Sequence, residues 1–338
     1  MATDPIPTKP LVDGYQRVHR DLRISVTDRC NFRCTYCMPE EGLAWQPREA
    51  VLTFEEIARI ASIFVERFGF ESIRLTGGEP TVRADLPNLV RSLTALPVEL
   101  SLTTNGSRLD RLAAPLVDAG LDRINVSLDS LRRDRFERAT RRDALPEVIA
   151  GIQAARAAGL DPVKVNVVVT RGLNDDEIVD FAEFGRHEGV TVRFIEFMPL
   201  DADHRWSSDS VVPSQEIVDT IAAMHPLEEV HRGSSPARRF RYVDGRGEIG
   251  VIGSVTEPFC ASCDRVRLTA DGQLRSCLFA TTETDLRAII RAPGRSASEV
   301  DHDLARAIEQ TVAGKGPGHG ISDVVFVRPA RSMSQIGG

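Results

Sequence analysis

Between residues 22 and 197, short runs of aliphatic and β-branched residues alternate with longer stretches whose apolar positions recur at helical spacing. The short runs predict six strands, at 22–26, 72–76, 98–104, 123–128, 163–170 and 190–197. The longer stretches predict helices near 53–68, 86–96, 109–119, 146–158 and 175–188. Four of these run into Gly69, Gly120, Gly159 or Gly189, the residue type that most readily ends a helix. Strand–helix alternation of this kind predicts a parallel α/β sheet. Six units fall short of the eight of a closed barrel, so the expected fold is a partial (β/α)6 TIM-like barrel, open on one side. After Pro199 the periodicity weakens. The expected division is a disordered lead at 1–13, the barrel at 14–225 and a smaller C-terminal domain at 226–338.

In parallel α/β folds the functional groups gather at the carboxyl ends of the strands. Each predicted strand carries something chemical there or along its length. Three cysteines follow the first strand and Thr76-Gly77-Gly78-Glu79-Pro80 the second. Thr103-Thr104-Asn105-Gly106 ends the third, and Ser127-Leu128-Asp129 the fourth. Lys164 and Asn166 lie within the fifth, alternating in an otherwise apolar run, which places both on the barrel's inner face or at its mouth. Arg193, Glu196 and Met198 lie along or just after the sixth. This convergence predicts a single shared site.

A length of 338 residues exceeds the roughly 250–300 at which single cores stop growing, which favours two domains. Hydrophobic residues make up 42% of the chain, and no stretch approaches the roughly 20 unbroken apolar residues of a membrane span. Met1 to Pro10 is polar and proline-rich, without the apolar core of an export signal, so a cytoplasmic location is expected. In that reducing setting thiols serve metals or catalysis more often than disulfides. A net charge of −7 argues against a general nucleic-acid surface. All but three of the 42 basic residues are arginine, the exceptions being Lys9, Lys164 and Lys315.

The chain holds six cysteines in two triplets of metal-ligand spacing, Cys30, Cys34 and Cys37, then Cys260, Cys263 and Cys277. Three thiolates on a tight CxxxCxxC loop suit a cubane iron–sulfur cluster and leave one iron open for another ligand. A zinc knuckle is the alternative, but no fourth ligand stands near the first triplet. For the second triplet zinc remains open, because His302 or His319 could complete the site. A proline- and glycine-rich stretch at 314–320 and a terminal Gly337-Gly338 complete the segment.

The run Cys30-Asn31-Phe32-Arg33-Cys34-Thr35-Tyr36-Cys37 resembles the signature of the radical S-adenosylmethionine (SAM) superfamily, and Gly77-Gly78-Glu79-Pro80 resembles its second motif. The second triplet has further marks around it: Asp264-Arg265-Val266-Arg267-Leu268, Asp271-Gly272-Gln273-Leu274-Arg275-Ser276 and Phe194-Ile195-Glu196-Phe197-Met198-Pro199. With these it resembles the GTP 3',8-cyclases of molybdenum cofactor biosynthesis, from about Asp21 to the diglycine end. That resemblance implies two 4Fe-4S clusters, one on each triplet, with SAM on the first and the guanine of GTP on the second. It implies a 5'-deoxyadenosyl radical that takes the ribose C3' hydrogen of GTP, after which C3' attacks guanine C8. The implied product is (8S)-3',8-cyclo-7,8-dihydroguanosine 5'-triphosphate, formed in a lyase-class step that opens molybdenum cofactor synthesis.

Carried over residue by residue, the SAM contacts fall on Tyr36, Gly78, Ser127 and Met198. The GTP contacts fall on Arg23, Arg74, Thr103, Lys164, Arg265 and Arg267, with the backbone at Val266. The tail, Gly337 and Gly338, is expected to reach the pocket, meet Arg193 and Arg23, and trigger SAM cleavage when GTP is bound. The implied partners are an electron-donor protein and a downstream cyclic pyranopterin monophosphate synthase, with a homodimer left open. Two rivals remain at this stage. One is a radical SAM peptide modifier with an auxiliary cluster, and the other is a non-catalytic iron–sulfur or zinc protein.

Overall fold

The structure is a computed structural model that describes residues 9–201, 204–231, 233, 235–321 and 326–337. A short hairpin, β1 (Leu11–Val12) with β2 (Val18–His19), leads into β3 (Asp21–Ser25). Then follow β4 (Ser72–Thr76), β5 (Glu99–Thr104), β6 (Arg123–Ser127), β7 (Val163–Val169) and β8 (Thr191–Glu196). Helices α1 (Phe54–Ser62), α2 (Leu86–Leu93), α3 (Leu109–Asp118), α4 (Arg133–Thr140), α5 (Leu145–Ala157) and α6 (Ile178–Glu188) lie between them. The chain continues with α7 (Ser214–Ala222), β9 (Leu227–Val230), β10 (Arg238–Tyr242), β11 (Glu248–Ile252), β12 (Arg265–Leu268), β13 (Gln273–Arg275) and β14 (Thr284–Asp285). It closes with α8 (Leu286–Ile290), α9 (Ala297–Ala313) and α10 (Met333–Ile336).

All six predicted strands form and pair in parallel, in chain order from β3 to β8. The C-terminal strands do not form a sheet of their own. β12 adds in parallel to β3 and β11 in parallel to β8, and hairpin partners then extend both edges, so that the described residues make one twelve-stranded sheet. Strand edges carry unpaired N–H and C=O groups, and the C-terminal segment supplies partners for both edges of the six-stranded unit. The expected division at residue 225 thus falls inside one hydrogen-bonded sheet.

Alternation along each strand separates two chemistries. Leu22, Ile24, Ile73, Leu75, Val165 and Phe194 are fully buried among the helices, whose start and length follow local rules. α1, for example, opens on a Thr53–Glu56 capping box and buries Ile57, Ile60 and Ala61. Its last predicted turn is a π-helical segment, Ile63–Arg67. The other face of the same strands carries Arg23, Arg74, Asn125, Lys164 and Arg193, and ladder pairs such as Arg23↔Arg74 and Asn125↔Lys164 keep these side chains together.

Two expectations need correction. The lead was expected to be disordered through residue 13, but Leu11 and Val12 form β1, and Asp13 is buried where it accepts from Arg17 and contacts His19. Burial of Leu11 at 4% exposure, together with that ion pair, outweighs the chain's polar start. Residues 1–8 lie outside the described residues. The sequence also gave no sign of α4, whose eight mostly charged residues bury only Phe136, Ala139 and Thr140. Among the described residues no helix is long and apolar enough to cross a membrane.

Candidate functional site

The first cysteine loop leaves β3 and is fastened on three sides. Gly78 N–H donates to Thr27 O at 2.8 Å and Glu79 N–H to Arg29 O at 2.8 Å. A Cβ at Gly77 would stand 2.4 Å from Thr27 O, and one at Gly78 2.5 Å from Arg29 O. The two glycines therefore let the chain's own backbone pass on one side, and they border the cavity as well. From the other side, the end of α4 accepts from the loop, at Thr140 O from Arg33 N–H (3.0 Å) and at Ala139 O from Thr35 N–H (2.9 Å). Arg141 and Arg142 add donors to Arg33 O, Met38 O and Asn31 O.

Beyond Arg33, which donates to Cys30 O at 2.8 Å, the titratable groups facing this triplet are Glu79, Asp129 and Tyr36. Glu79 is 1% exposed and accepts from Thr81, Thr104 and the Asn105 N–H; burial raises its carboxyl above the usual range against these bonds. The Tyr36 hydroxyl donates to Asp129 Oδ2 at 2.8 Å, and burial pushes Asp129 up to about 6. Burial, with Glu79 adding to it, pushes the Cys30 thiol up to about 11. Cys37 rises to about 12 through burial and Cys30, and Cys34 rises well above its ordinary value.

The second triplet lies in a different field. Arg265 places Nε and Nη2 each 3.4 Å from Cys263 Sγ, and its guanidinium lies over the Phe259 ring at 4.6 Å. Lys315 Nζ is 3.7 Å from the same sulfur. Burial pushes the Cys263 thiol up, but Arg265 and Lys315 outweigh it and bring it down to about 7. Of the two candidate histidines, His319 borders the cavity beside Cys260, whereas His302 sits exposed on α9. No three His, Cys, Asp or Glu side chains among the described residues converge on a position for one metal ion. A cubane makes a different demand, because its thiolates bind separate irons.

All six cysteines are free thiols and all line one cavity. Arg23, Arg74, Thr103, Arg193, Arg265 and Arg267 line it too, as do Tyr36, Gly78, Ser127 and Met198. Three expected residues do not. Lys164 sits at the start of β7, deeper in the barrel, where burial and then Arg193, Arg123 and Arg74 push it down to about 7. Val266 turns its side chain into the core, and its backbone lies opposite Leu22 in the ladder. Gly337 lies against β3 and β4, where a Cβ would meet Ser25 Oγ at 2.4 Å, and Arg267 Nη1 donates to its carbonyl. The described part of the tail thus meets Arg267, where Arg23 and Arg193 were expected; Gly338 lies outside the described residues.

The barrel interior is a cluster of buried cations. Burial and then Arg74 push Arg23 down to about 9, burial brings Arg74 and Arg193 to about 10, and Arg267 falls well below its ordinary value. Asp21 is the nearby anion, 4.0 Å from Arg23. Asp21 Oδ1, Arg23 Nε, Ser25 Oγ and Asn166 Oδ1 are buried without a hydrogen-bond partner. Buried polar atoms of this kind are costly when unpaired; Arg23 Nε and Ser25 Oγ can donate to an anion, whereas Asp21 Oδ1 and Asn166 Oδ1 accept and call for a donor. Sequence reasoning missed Asp21, Arg123, Lys315 and the partnership of Asp129 with Tyr36. Asp21 and Arg123 each open a strand, β3 and β6, but only the ladder shows which face they share with the motif residues.

Residues 24–185 match the family described as Radical SAM superfamily, and residues 190–321 the one described as Molybdenum Cofactor Synthesis C. A GTP 3',8-cyclase of Streptomyces coelicolor is 50% identical, over 97% of this chain and 96% of the relative. One from Mycolicibacterium smegmatis is 48% identical over 97% and 92%. Among solved structures, SuiB of Streptococcus suis bound to S-adenosylmethionine superposes with a TM-score of 0.60 at 13% identity, covering 89% of this chain and 68% of that one. Methylornithine synthase gives 0.51 at 17% identity, covering 85% and 81%. At such identity these structures speak for the fold alone.

Proposed function

The chain belongs to the GTP 3',8-cyclase family of radical SAM enzymes, and from that premise we propose that it joins ribose C3' to guanine C8 of GTP in the first step of molybdenum cofactor biosynthesis. The observation that carries this is the single cavity onto which both cysteine triplets and the inward arginines of β3, β4, β8 and β12 open. Family membership implies a 4Fe-4S cluster with SAM, and Cys30, Cys34 and Cys37 are the thiols that would hold that cluster. When bound, the pair supplies a one-electron cleavage of SAM and hence the radical that takes a hydrogen from the substrate. We assign a second 4Fe-4S cluster to Cys260, Cys263 and Cys277, whose thiols border the same cavity.

This chain's own residues do the rest. Arg23, Arg74, Arg265 and Arg267 neutralise the triphosphate and grip its oxygens with charge-assisted hydrogen bonds. Lys164 adds charge from deeper in the barrel, and Thr103, which lines the cavity, completes the substrate contacts. Tyr36, Gly78, Ser127 and Met198 shape the SAM side, where Asp129 fixes the Tyr36 hydroxyl. Arg267 holds the tail at Gly337, with Arg193 beside Asn125 facing the same space, so that the tail closes the pocket when substrate fills it. Closure of this kind keeps water from the reacting atoms. An external one-electron donor, a downstream enzyme that consumes the product and a cytoplasmic setting complete the proposal.

The test is 5'-deoxyadenosine release by anaerobically reconstituted, reduced protein with SAM, comparing GTP, ATP and no nucleotide by mass spectrometry. GTP-dependent release with a cyclised GTP-derived product is expected. Equal release without GTP would overturn the substrate assignment and leave the superfamily chemistry standing.

A further inference from the structure

The second cysteine site is wrapped by the segment from Lys315 to His319, part of the glycine-rich stretch that no step above uses. Gly318 lies beside Cys260, where a Cβ would make ordinary contact with the sulfur at 3.6 Å. Arg17 fixes this backbone from the N-terminal hairpin, donating to Gly316 O at 2.6 Å, Pro317 O at 3.0 Å and Cys260 O at 2.8 Å. Arg17 is itself paired with Asp13 at 2.6 Å.

Inside this wrap Lys315 is 4% exposed. Its Nζ donates to Arg265 O at 2.8 Å and Cys263 O at 3.4 Å, and stands 3.7 Å from Cys263 Sγ. No carboxylate among the described residues forms an ion pair with it; burial, with Arg17 and Arg265, pulls its ammonium below the ordinary value, and the sulfurs of Cys263 and Cys277 act against that. A buried ammonium is expensive unless a counter-charge comes with it. Arginine is the rule elsewhere in this chain, yet a compact point charge with three rotatable donors stands here. At the first triplet the charges are mixed: Glu79 adds to the rise of the Cys30 thiol, and Arg33, which donates to Cys30 O at 2.8 Å, opposes it.

We propose that Lys315 is a positioning residue of the second cluster site, which holds the Cys263 edge in place and makes the group bound there easier to reduce than it would be without that charge. The inference rests on the assignment of a second cluster to Cys260, Cys263 and Cys277. A cation and N–H donors at a ligating sulfur stabilise the reduced form, which carries one more negative charge.

The experiment uses the full chain with the first triplet changed to alanine (C30A/C34A/C37A), so that all bound iron reports on the second site, in three forms: unaltered at 315, K315M and K315R. Iron and sulfide per chain are measured after anaerobic reconstitution, followed by a redox titration monitored by electron paramagnetic resonance. The expected result is a more negative midpoint in K315M, or loss of iron from it, while K315R keeps both its iron and its midpoint. An unchanged midpoint in iron-replete K315M overturns the proposal, as does equal loss of iron from K315M and K315R, which would make packing rather than charge the cause. Absence of iron with Lys315 intact would instead bring down the two-cluster assignment on which the proposal stands.

Discussion

The two cysteine triplets share a ligand type and a cavity, but they sit in opposite electrostatic surroundings. At the first, burial and acidic neighbours push Cys30 to about 11 and Cys37 to about 12. At the second, Arg265 and Lys315 hold Cys263 at about 7 despite burial. A cluster that must give an electron to SAM gains from surroundings that disfavour added negative charge. In the assignment proposed above, the nucleotide takes the arginine-rich end of the barrel, where β12 carries Arg265 and Arg267 to the cavity. On that assignment one cavity would hold an electron-donating end and an anion-accepting end.

The largest effects come from removing either end. C34A should abolish SAM cleavage, with 5'-deoxyadenosine falling below detection, whereas C263A should keep the first site's iron and lose the cyclised product. If C263A makes product at the wild-type rate, the division of labour is wrong. Deleting Gly337 and Gly338 should also abolish product while iron content stays at the level of the full chain; retained turnover would remove the tail from the mechanism.

Thiol chemistry probes the contrast directly. In the metal-free chain at pH 7, Cys263 should react with iodoacetamide about a hundredfold faster than Cys30 or Cys37, because the gain in thiolate exceeds the loss of intrinsic nucleophilicity. Peptide mass spectrometry after timed quenching reads this, and equal labelling of the two triplets would erase the comparison. At the anion-accepting end, R267M should weaken GTP binding by about ten- to hundredfold, the worth of a charge-assisted hydrogen bond of about 1.5–3 kcal/mol. Calorimetry on SAM-loaded protein would measure it, and loss of the Arg267 hold on Gly337 would accompany it.

The effect at Lys164 is graded with pH. With its free value near 7, the lysine is charged below that pH and neutral above it. A bound triphosphate favours the charged form, so binding above pH 7 must take up a proton. GTP affinity should therefore fall by about tenfold per pH unit from 7 upward, and K164M should flatten that slope. A wild-type affinity independent of pH between 6 and 9 would place Lys164 outside the substrate's field.

Much of this was legible in the chain. The six strands and five helices followed from periodicity because each buries one face against a single shared core, which fixes the spacing of apolar residues. Cysteine spacing showed that there were two triplets, since a loop that presents three sulfurs together needs them close in sequence. α4 was invisible because a mostly charged eight-residue helix has almost no apolar stripe. Its role, accepting from the first cysteine loop, rests on contacts between segments roughly a hundred residues apart.

By itself the sequence determined the fold class, the family, the two triplets and most residues of the cavity, because each is written in local pattern or motif. Only the tertiary structure decided that the C-terminal strands complete both edges of the barrel's sheet. It alone showed that Lys164 and Val266 stand off the cavity wall, that Gly77 and Gly78 make room for backbone, and that Lys315 comes to Cys263. The charge at each triplet depends on residues brought in from distant strands and loops, and a field that sums over space has no signature in the order of the chain.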